Sequence, residues 1–319
     1  MRILFVVNPA AGGGRASKAA RFIGAALKSV RGIDADIALT REAGHAEALA
    51  KEGVKLGVSR VVAVGGDGTP HETVNGLLAG KSGPGAPLPS VGLVPCGTGN
   101  DFARGMGLFA RAGVALQRCL GPADMPIDVG IINGRAFLNV AGFGFDAKVA
   151  AVVAEQNCGR GTIPYLLTAL RLLPRYRPAR LRLSVDGEAL VATVLLGAVG
   201  NASTYGGGMK ICPMAHAADG LLDLCLVGDI PPLDALANFA RVYRGSHLSH
   251  PKCTYARALR IQVESDTDVP LHADGQLLGS LPATFSILPQ AVRLAIGDVH
   301  AGSDGSTPKR ANRSASFAQ

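Results

Sequence analysis

Residues 60–72, RVVAVGGDGTPHE, join an apolar run to two glycines and a carboxylate, and this junction decides the fold class. The run at 60–65 is apolar on both faces, which predicts a buried strand of a parallel sheet. Thr69, Pro70 and Glu72 have the spacing of a helix start, with Thr69 as the N-cap and Glu72 as its reciprocal cap. A strand that passes directly into a helix is the repeating unit of an α/β domain.

The same alternation of strand and helix extends over residues 1–125 and predicts an α/β domain built on a doubly wound, parallel sheet. The predicted strands are 3–8, 35–40, 60–65 and 90–95, and the predicted helices are 16–30, 44–57 and 70–80. Each strand ends in a polar or glycine-rich loop. Ligands of such sheets bind beyond the carboxyl ends of the strands, so these loops mark the expected site.

Residues 126–300 have a different sequence pattern, in which Asn-Gly and Asp-Gly pairs separate apolar runs of strand length. These turns predict β-hairpins and a mainly antiparallel β-sandwich domain, whose last strand either completes the sandwich or returns to the first domain. The turns are Asn133-Gly134, Asp186-Gly187 and Asp274-Gly275, and helical patterns occur near 146–156, 162–174 and 232–244. The polar, serine-rich tail 301–319 is predicted to be disordered.

The composition describes a globular protein of 319 residues, long enough for two domains, with 48% hydrophobic residues. Its longest apolar runs fall short of the roughly 20 residues that a transmembrane helix needs, and the first strand follows Met1 so closely that no signal peptide is expected. The six cysteines are widely spaced, without companion histidines at zinc spacing, so free thiols are expected. We therefore expect a cytoplasmic protein.

The net charge of +8 suits contact with an anion, whether a nucleotide, a nucleic acid or an acidic membrane surface. Charge alone does not decide among these partners. Residues 160–182 interleave arginines with tyrosines and leucines. This pattern fits a helix that lies on a membrane surface, and it fits equally an amphipathic core helix with a solvated basic face.

Asp67 places an acid where its neighbours favour an anion. Gly65 and Gly66 leave the chain free to adopt positive φ angles and let backbone N–H groups approach a ligand without a Cβ in the way. A helix N-terminus at the mouth of a parallel sheet favours phosphate. An acid beside a phosphate makes chemical sense if it holds a metal ion or accepts a proton from an attacking hydroxyl, as in phosphoryl transfer. The alternative is that Asp67 only caps the turn.

Two further loops at the same sheet edge are rich in glycine. Asn8–Arg15 (NPAAGGGR) follows the first strand, and Pro95–Arg104 (PCGTGNDFAR) follows the fourth. Neither loop has the G-K-[ST] ending of a P-loop or the G-x-G-x-x-G register of a dinucleotide site. Three such loops on one edge nevertheless predict a phosphate-bearing ligand.

The motifs NP-x-x-GG, GGDGT-x-x-E-x-x-NGL and P-x-GT-x-ND-x-AR occur in this order between Asn8 and Arg104. In order and spacing they resemble the diacylglycerol kinase catalytic-domain family, which includes sphingosine and ceramide kinases and compact bacterial lipid kinases. The resemblance extends from Arg2 to about Gly297 and includes NVAGFGFD at 139–146. GGDGT alone is shared with NAD kinases.

This resemblance implies a Mg²⁺-dependent lipid kinase with ATP as co-substrate, in which a hydroxyl of diacylglycerol or a related lipid attacks the γ-phosphate. The expected location is the inner face of the membrane, with peripheral association, and no nucleic acid is expected as a partner. Asp67 lies at the catalytic centre, which Asp101 and Asp128 help to organise. The implied nucleotide-binding residues are Asn8, Gly12, Gly13, Thr40, Gly65, Gly66, Asp67, Gly68, Thr69, Glu72, Thr98 and Asn100.

The resemblance also implies a structural magnesium site in the second domain. Asp219 supplies its carboxylate, and the backbone carbonyls of His216 and Leu221 complete the shell. The alternative for Asp219-Gly220 is a simple turn.

Gln276 is the main departure from the family pattern. Bacterial members read Asp-Gly-Glu where this chain has Asp274-Gly275-Gln276, and the glutamate is assigned as the general base. A glutamine amide cannot accept the proton. Either Asp67 is the base, as in the sphingosine-kinase branch, with Gln276 orienting the hydroxyl, or catalysis is weakened. Pro70 and His71 stand where Leu and Asn are usual, and both preserve the helix start.

Four other polar residues are possible members of the site. His45 and His272 lack metal-ligand spacing and are predicted to be structural, whereas Arg15 and Lys210 are candidates for phosphate contacts. Two rival functions remain at this point: an NAD kinase, and a catalytically weakened nucleotide- or lipid-binding protein. The sequence is compatible with a monomer and with a homodimer.

Overall fold

The computed structural model describes residues 1–83, 85–155 and 162–297. Its strands are β1 (Arg2–Val7), β2 (Asp34–Leu39), β3 (Arg60–Gly65), β4 (Ser90–Pro95), β5 (Asp124–Ile132), β6 (Arg135–Phe137), β7 (Val140–Gly144), β8 (Ala179–Val185), β9 (Glu188–Gly200), β10 (Leu222–Gly228), β11 (Cys253–Ala258), β12 (Arg260–Ser265), β13 (Pro270–Ala273), β14 (Gln276–Ser280) and β15 (Ala283–Ala295). Its helices are α1 (Arg15–Leu27), α2 (His45–Lys55), α3 (Gly68–Gly80), α4 (Asp101–Gly105), α5 (Ala112–Leu120), α6 (Phe145–Glu155), α7 (Thr162–Leu172) and α8 (Pro232–Arg244). The predicted disordered tail, 301–319, lies outside the described residues, as does Cys158.

The first part of the chain forms a parallel sheet in the order β2-β1-β3-β4, which confirms the predicted α/β class. All four predicted strands are confirmed to within one residue at each end. Side chains from both faces of the strands are buried: Phe5 packs with Ile23 beneath α1 and α5, and Val61 packs with Leu77 beneath α2 and α3. The sheet is therefore covered by helices on both sides, as strands apolar on both faces predict.

The second part is antiparallel and confirms the predicted β-sandwich. Phe143, Leu224 and Phe285 are buried in its core. The predicted hairpin turns are also confirmed, because Asn133, Asp186 and Asp274 have φ angles of 47° to 48° and each is followed by a positive-φ glycine. Two successive positive φ angles are the signature of a type I′ hairpin turn.

Strand β15 connects the two halves of the molecule. It pairs antiparallel with β12 and β5, and its Leu294 pairs in parallel with Val91 of β4. The last strand therefore returns to the sheet of the first part. A register shift between Leu288 and Val292 allows the strand to serve both sheets.

The predicted capping of helix α3 is wrong. The helix begins at Gly68, because Asp67 already has helical angles, φ −55° and ψ −32°. Thr69 therefore lies inside the first turn, and its Oγ1 is buried without a hydrogen-bond partner in the described part of the chain. Glu72 does not cap its own helix: its Oε2 accepts a hydrogen bond of 3.1 Å from the N–H of Ala46, in the first turn of α2.

Short helices α4 and α5, which the sequence patterns did not predict, complete the first part. Within the described ranges, none of the helices combines the length and apolar character needed to cross a lipid bilayer. Five of the six cysteines lie in described residues, and all five are free thiols, as expected.

Candidate active site

Three loops meet beyond the carboxyl ends of β1, β3 and β4, and glycines make this approach possible. A Cβ on Gly12 would collide with the carbonyl oxygen of Cys96, and a Cβ on Gly97 would collide with the backbone of Gly66. Gly12 has a positive φ angle, whereas Gly65 and Gly66 do not. Gly65 and Gly66 therefore do not use the freedom to adopt positive φ, and their small size permits close contact instead.

Asp67 lies at the N-terminus of α3 and faces the start of α4. Its Oδ1 accepts a hydrogen bond of 3.1 Å from the N–H of Phe102, and its side chain makes no capping bond to its own helix. Burial, followed by the repulsion of the nearby Asp101 carboxylate, raises the pKa of Asp67 to about 6. A carboxylate with this pKa is a stronger base than an ordinary aspartate and is still mostly ionised at neutral pH.

Asp101 is buried beside Asp67 and has one unused oxygen. Its Oδ2 accepts a hydrogen bond of 2.7 Å from the N–H of Gly207, whereas its Oδ1 is buried and has no partner among the described residues. A Cβ on Gly99 would lie 3.1 Å from Asp67 Oδ2 and 3.2 Å from Asp101 Oδ2, so the two carboxylates flank the same point. Burial also raises the pKa of Asp101.

The other nucleotide-binding candidates lie on the same edge of the sheet. Asn8 and Thr40 begin the loops after β1 and β2, and Thr98 is exposed on the loop after β4. Asn100 is buried, and its side-chain amide both accepts from the N–H of Gly97 and donates to the Gly97 carbonyl, at 2.8 Å each. Asn100 therefore shapes the loop that presents Thr98.

Arg15 connects two of the three loops. Its guanidinium donates to the carbonyl oxygens of Gly12, at 3.1 Å, and Gly97, at 2.8 Å. Lys210, the second candidate for phosphate contact, is exposed at the end of a loop from the second part of the chain. Both roles in phosphate binding remain predictions.

Asp274 joins the two parts of the molecule at the foot of the site. Its Oδ2 lies 2.9 Å from Nδ1 of His71 on α3 and accepts a 2.7 Å bond from the N–H of Leu138, and its Oδ1 accepts from the N–H groups of Asn139 and Val140. A carboxylate oxygen can only accept, so Nδ1 of His71 carries the shared proton. The side chains of His71 and Asp274 are 0% and 1% exposed, so this pair fixes α3 against the β13–β14 turn.

Asp128 also has both carboxylate oxygens hydrogen-bonded to backbone N–H groups, and it lies against the loop of the candidate structural metal site. Its two carboxylate oxygens accept 2.7 Å bonds from the N–H groups of Gly220 and Gln290. Asp219 lies in the same loop, where its Oδ1 accepts from the N–H of Leu221 at 3.1 Å and its Oδ2 is 3.8 Å from the Arg257 guanidinium.

The proposed metal ligands include one side chain and two carbonyls. The carbonyl oxygen of His216 accepts N–H groups from Ala218 and Asp219, as in a tight turn. No group of three or more His, Cys, Asp or Glu side chains in the described residues is arranged to hold a metal ion. The set Asp219, His216 and Leu221 therefore remains a prediction.

Gln276 opens β14, directly after the Asp274-Gly275 turn. The His71–Asp274 pair therefore sets the position of the backbone that presents Gln276. The expected role of Gln276 in orienting a ligand hydroxyl stays a prediction.

An apolar cleft opens beside this site in the second part of the chain. Helices α6, α7 and α8 and strands β9 and β10 line it, mainly with leucine, isoleucine, valine and aromatic side chains. Asp146 and Tyr205 are among its polar lining residues, and Oδ2 of Asp146 lies 3.1 Å from Nε2 of His272 and accepts a 3.3 Å bond from the hydroxyl of Tyr205. Burial, together with Asp146, raises the pKa of Tyr205 well above its ordinary value, so the phenol stays protonated.

The same loop borders both the apolar cleft and the acidic pair. Tyr205 and Met209 line the cleft, and Gly207 between them donates its N–H to Asp101. The acid pair and the cleft are therefore neighbours. Helix α7, in the segment for which two interpretations were open, lines the cleft with Leu166 and also exposes 62% of Leu167.

Sequence reasoning missed His71, Asp146 and Tyr205 as parts of the site. His71 was treated as a harmless replacement, although it forms a buried pair with Asp274. The only sequence signal was that a histidine and an aspartate both stood inside recognisable motifs. The predictions for the other two histidines agree with their surroundings: Nδ1 of His45 accepts from the N–H of Arg41 at 3.0 Å, and His272 is buried against Asp146.

Comparison with known proteins identifies the family. The profile of the diacylglycerol kinase catalytic domain matches residues 2–132, and that of the YegS C-terminal NAD kinase beta sandwich-like domain matches residues 139–296. A diacylglycerol kinase from Mycobacterium tuberculosis is 34% identical over 300 residues, which are 92% of this chain and 94% of that protein. The chain belongs to the diacylglycerol kinase family.

Other members and a solved structure agree with this assignment. A diacylglycerol kinase from Bacillus subtilis is 32% identical over 80% of this chain and 83% of its own length. A crystal structure of a diacylglycerol kinase from Bacillus anthracis str. Sterne matches with a TM-score of 0.74 over 93% of this chain and 97% of that chain, at 24% identity. This last likeness concerns the fold, which the kinase family shares over nearly its whole length.

Proposed function

We propose that this member of the diacylglycerol kinase family transfers the γ-phosphate of ATP to a hydroxyl of diacylglycerol or a related lipid, with Mg²⁺ as cofactor. The observation that carries the proposal is the loop around Gly207, which bonds to Asp101 on one side and borders the apolar cleft on the other. This arrangement sets a space for acyl chains beside a pair of acids. Kinase family membership supports ATP as the phosphoryl donor.

In this proposal the glycine-rich loops hold the triphosphate. Their backbone N–H groups and the N-terminus of α3 favour its negative charge, and the small residues Gly12, Gly66 and Gly97 allow close approach. Asp67 accepts the proton of the attacking lipid hydroxyl, for which its raised pKa suits it. Phosphoryl transfer depends chiefly on positioning and electrostatics, so a single carboxylate base suffices without a glutamate at position 276.

The acidic pair also fits the proposed magnesium ion. The charge of one buried carboxylate makes ionisation of the other less favourable, and a cation between them would relieve this repulsion. Asp101 Oδ1 is a buried acceptor without a partner in the described residues. Mg²⁺ prefers oxygen ligands and is typically held by one or two carboxylates together with substrate phosphates. When bound, it would neutralise charge on the transferred phosphoryl group, with Asp101 as its carboxylate ligand and Asp67 left as the base.

The apolar cleft is proposed to take the acyl chains, with the kinase working at the cytoplasmic face of a membrane. Its mainly apolar walls are those of a pocket for a hydrophobic ligand. The polar lining residues Asp146 and Tyr205 would bond to the more polar part of the lipid.

The test uses labelled ATP, Mg²⁺ and mixed micelles, each containing one lipid of a panel with free hydroxyl groups. We expect a labelled phospholipid from diacylglycerol or a related lipid. We also expect Asp67→Asn to lower turnover by at least about 100-fold, as loss of a general base does. A conservative control, Asp34→Asn, changes an exposed acid at the far end of the sheet and should leave turnover unchanged.

Other outcomes would separate the rival functions. If ATP binds and no lipid is labelled, the protein is a binding protein rather than a kinase. If NADP forms from ATP and NAD while lipids stay unlabelled, the lipid kinase assignment is overturned. Family membership favours the lipid over NAD as acceptor.

A further inference from the structure

Residues 205–209 form a short hairpin, which we call the triglycine hairpin. Its two ends, Tyr205 and Met209, pair with each other in an antiparallel bridge through two backbone hydrogen bonds of 3.0 Å. The three residues between them have φ angles of 62°, 86° and 102°, at Gly206, Gly207 and Gly208. Residues with a side chain rarely adopt three such angles in a row, so the shape of this tip depends on glycine.

The tip of the triglycine hairpin orients one carboxylate of the acid pair. The N–H of Gly207 donates to Oδ2 of Asp101 at 2.7 Å. Directly before the hairpin, the hydroxyl of Thr204 donates to the backbone carbonyl oxygen of Asp101 at 3.4 Å. The bond to Oδ2 therefore sets the direction of Oδ1, the buried oxygen of Asp101 that has no partner among the described residues.

The two ends of the triglycine hairpin line the apolar cleft. Tyr205 and Met209 are both part of the cleft wall, and Met209 is 5% exposed. A Cβ on Gly206 would collide with Cε of Met209, so the methionine side chain lies directly against the glycine tip. The ring of Tyr205 stacks on that of His272, with centroids 6.1 Å apart and planes 12° apart. A ligand in the cleft would therefore contact the two side chains that support the tip.

The tip itself has few other contacts. Gly206 and Gly207 are exposed, and a Cβ on Gly208 would meet no heavy atom of the described residues within 4 Å apart from its chain neighbours. Glycine loses more conformational freedom on ordering than any other residue. The fraction of molecules in which Gly207 is bonded to Asp101 should therefore rise when a ligand supports Tyr205 and Met209.

We propose that the triglycine hairpin couples the lipid cleft to the acid pair: an acyl chain that packs against Met209 and Tyr205 holds Gly207 on Asp101 and strengthens binding of the nucleotide with Mg²⁺. The inference rests on the proposed function, which supplies the lipid, the nucleotide and the metal ion. Tyr205, Gly207 and Met209 are positioning residues, because they act through Asp101. The consequence is that the nucleotide site is completed when an acceptor lipid is present, which limits transfer of phosphate to water.

The experiment measures the dissociation constant of a non-hydrolysable ATP analogue with Mg²⁺ by calorimetry. It compares plain micelles with micelles that carry a diacyl ester of 1,2-propanediol, which lacks the free hydroxyl of diacylglycerol. The propanediol ester should lower the dissociation constant at least about fivefold, and the nucleotide with Mg²⁺ should tighten binding of the ester by the same factor, because coupling between two sites is reciprocal. A change of less than about twofold in either constant would overturn the proposal.

A pair of matched variants tests whether the coupling passes through the hairpin. Met209→Ala removes the side chain that lies between the cleft and the tip, whereas Leu195→Ala shortens a cleft residue on β9 that is also 5% exposed. Both variants should bind the propanediol ester more weakly, but only Met209→Ala should reduce the coupling to less than about twofold. Met209→Leu should keep most of it. Coupling that survives in Met209→Ala, or is lost equally in both alanine variants, would contradict the inference.

Hydrogen exchange of backbone amides gives a second readout that needs neither metal nor turnover. The propanediol ester alone should slow exchange in residues 205–210 at least about fivefold, because an ordered segment opens less often. The exposed turn at Asp186-Gly187 serves as an internal reference and should not change. Unaltered exchange at 205–210 in the original protein, or full protection in Met209→Ala, would count against the hairpin.

The outcomes also separate this inference from the proposed function. A protein that phosphorylates diacylglycerol and shows no coupling would overturn the inference alone. A protein that shows the coupling and phosphorylates no lipid of the panel would overturn the proposed function alone.

Discussion

Four aspartates around the candidate site lie in two contrasting settings. Asp67 and Asp101, at the mouth of the parallel sheet, both have raised pKa values because of burial, and Asp101 keeps an oxygen without a partner in the described residues. Asp128 and Asp274, at the junction with the sandwich, accept two and three backbone N–H groups. The supply of hydrogen bonds thus distinguishes acids available for chemistry from acids that hold the architecture.

The largest effect on stability is expected at Asp274, whose two carboxylate oxygens are both hydrogen-bonded. Asp274→Ala leaves three backbone N–H groups and His71 without their acceptor, and we expect the free energy of unfolding to fall by about 3–5 kcal/mol. Urea denaturation followed by circular dichroism measures this change. A loss below about 1 kcal/mol would show that water replaces the carboxylate and that the contrast between the two settings is unfounded.

Asp67→Asn should change the free energy of unfolding in the opposite direction, towards greater stability. Its pKa is raised from 3.8 to about 6 in the folded protein, so the folded state binds the proton more tightly and stability falls as pH rises from 3.8 through 6. The amide avoids this loss and still accepts from the Phe102 N–H. We expect the variant to be more stable by about 1–3 kcal/mol at pH 7.5.

The control for this prediction is the pH dependence itself. The stability difference between Asp67→Asn and the original protein should shrink as pH falls through 6 and vanish below 3.8. Melting temperatures at several pH values test it. A variant that is less stable at pH 7.5 would mean that Asp67 is as well satisfied as Asp274.

A smaller effect is expected from the partner of Asp274. His71→Leu replaces the imidazole with an apolar side chain of similar size and removes the N–H donor. We expect a loss of about 1–2 kcal/mol in the free energy of unfolding. His71→Asn retains a donor and should lose less than half as much. Equal losses in the two variants would show that His71 contributes by packing alone.

The smallest change is expected at Gln276. If Asp67 is the base, Gln276→Glu adds a second carboxylate that the reaction does not need, and kcat should stay within about threefold. Steady-state kinetics at pH 7.5 with the lipid found in the panel assay give this comparison. A rise of tenfold or more would show that the missing glutamate limits the reaction.

Local features of the fold could be predicted because their signals are local. Strands such as 60–65 are apolar on both faces, and the Asn-Gly and Asp-Gly turns require two positive φ angles that few other residues tolerate. The start of α3 could not be predicted from Thr69 and Glu72. The helix begins earlier at Gly68, and Glu72 is used by a neighbouring helix.

The site residues also divide into those with a local sequence signal and those without one. The glycine loops and Asp67 are visible as motifs, whereas the His71–Asp274 and Asp146–His272 pairs join residues more than 100 positions apart. Such contacts depend on how the two sheets meet, which no local pattern specifies. The different settings of Asp101 and Asp128 were likewise hidden, because both are a single aspartate beside apolar residues in the sequence.

The pairing of β15 with β4 affects when the first part of the protein can finish folding during synthesis. Leu294 of β15 pairs with Val91 at the edge of the first sheet, although the other strands of that sheet are complete by residue 95. While the ribosome is still producing the sandwich, the first sheet exposes an unpaired strand edge, which is a site for wrong association. Folding of the first part therefore ends only when almost the whole chain has emerged.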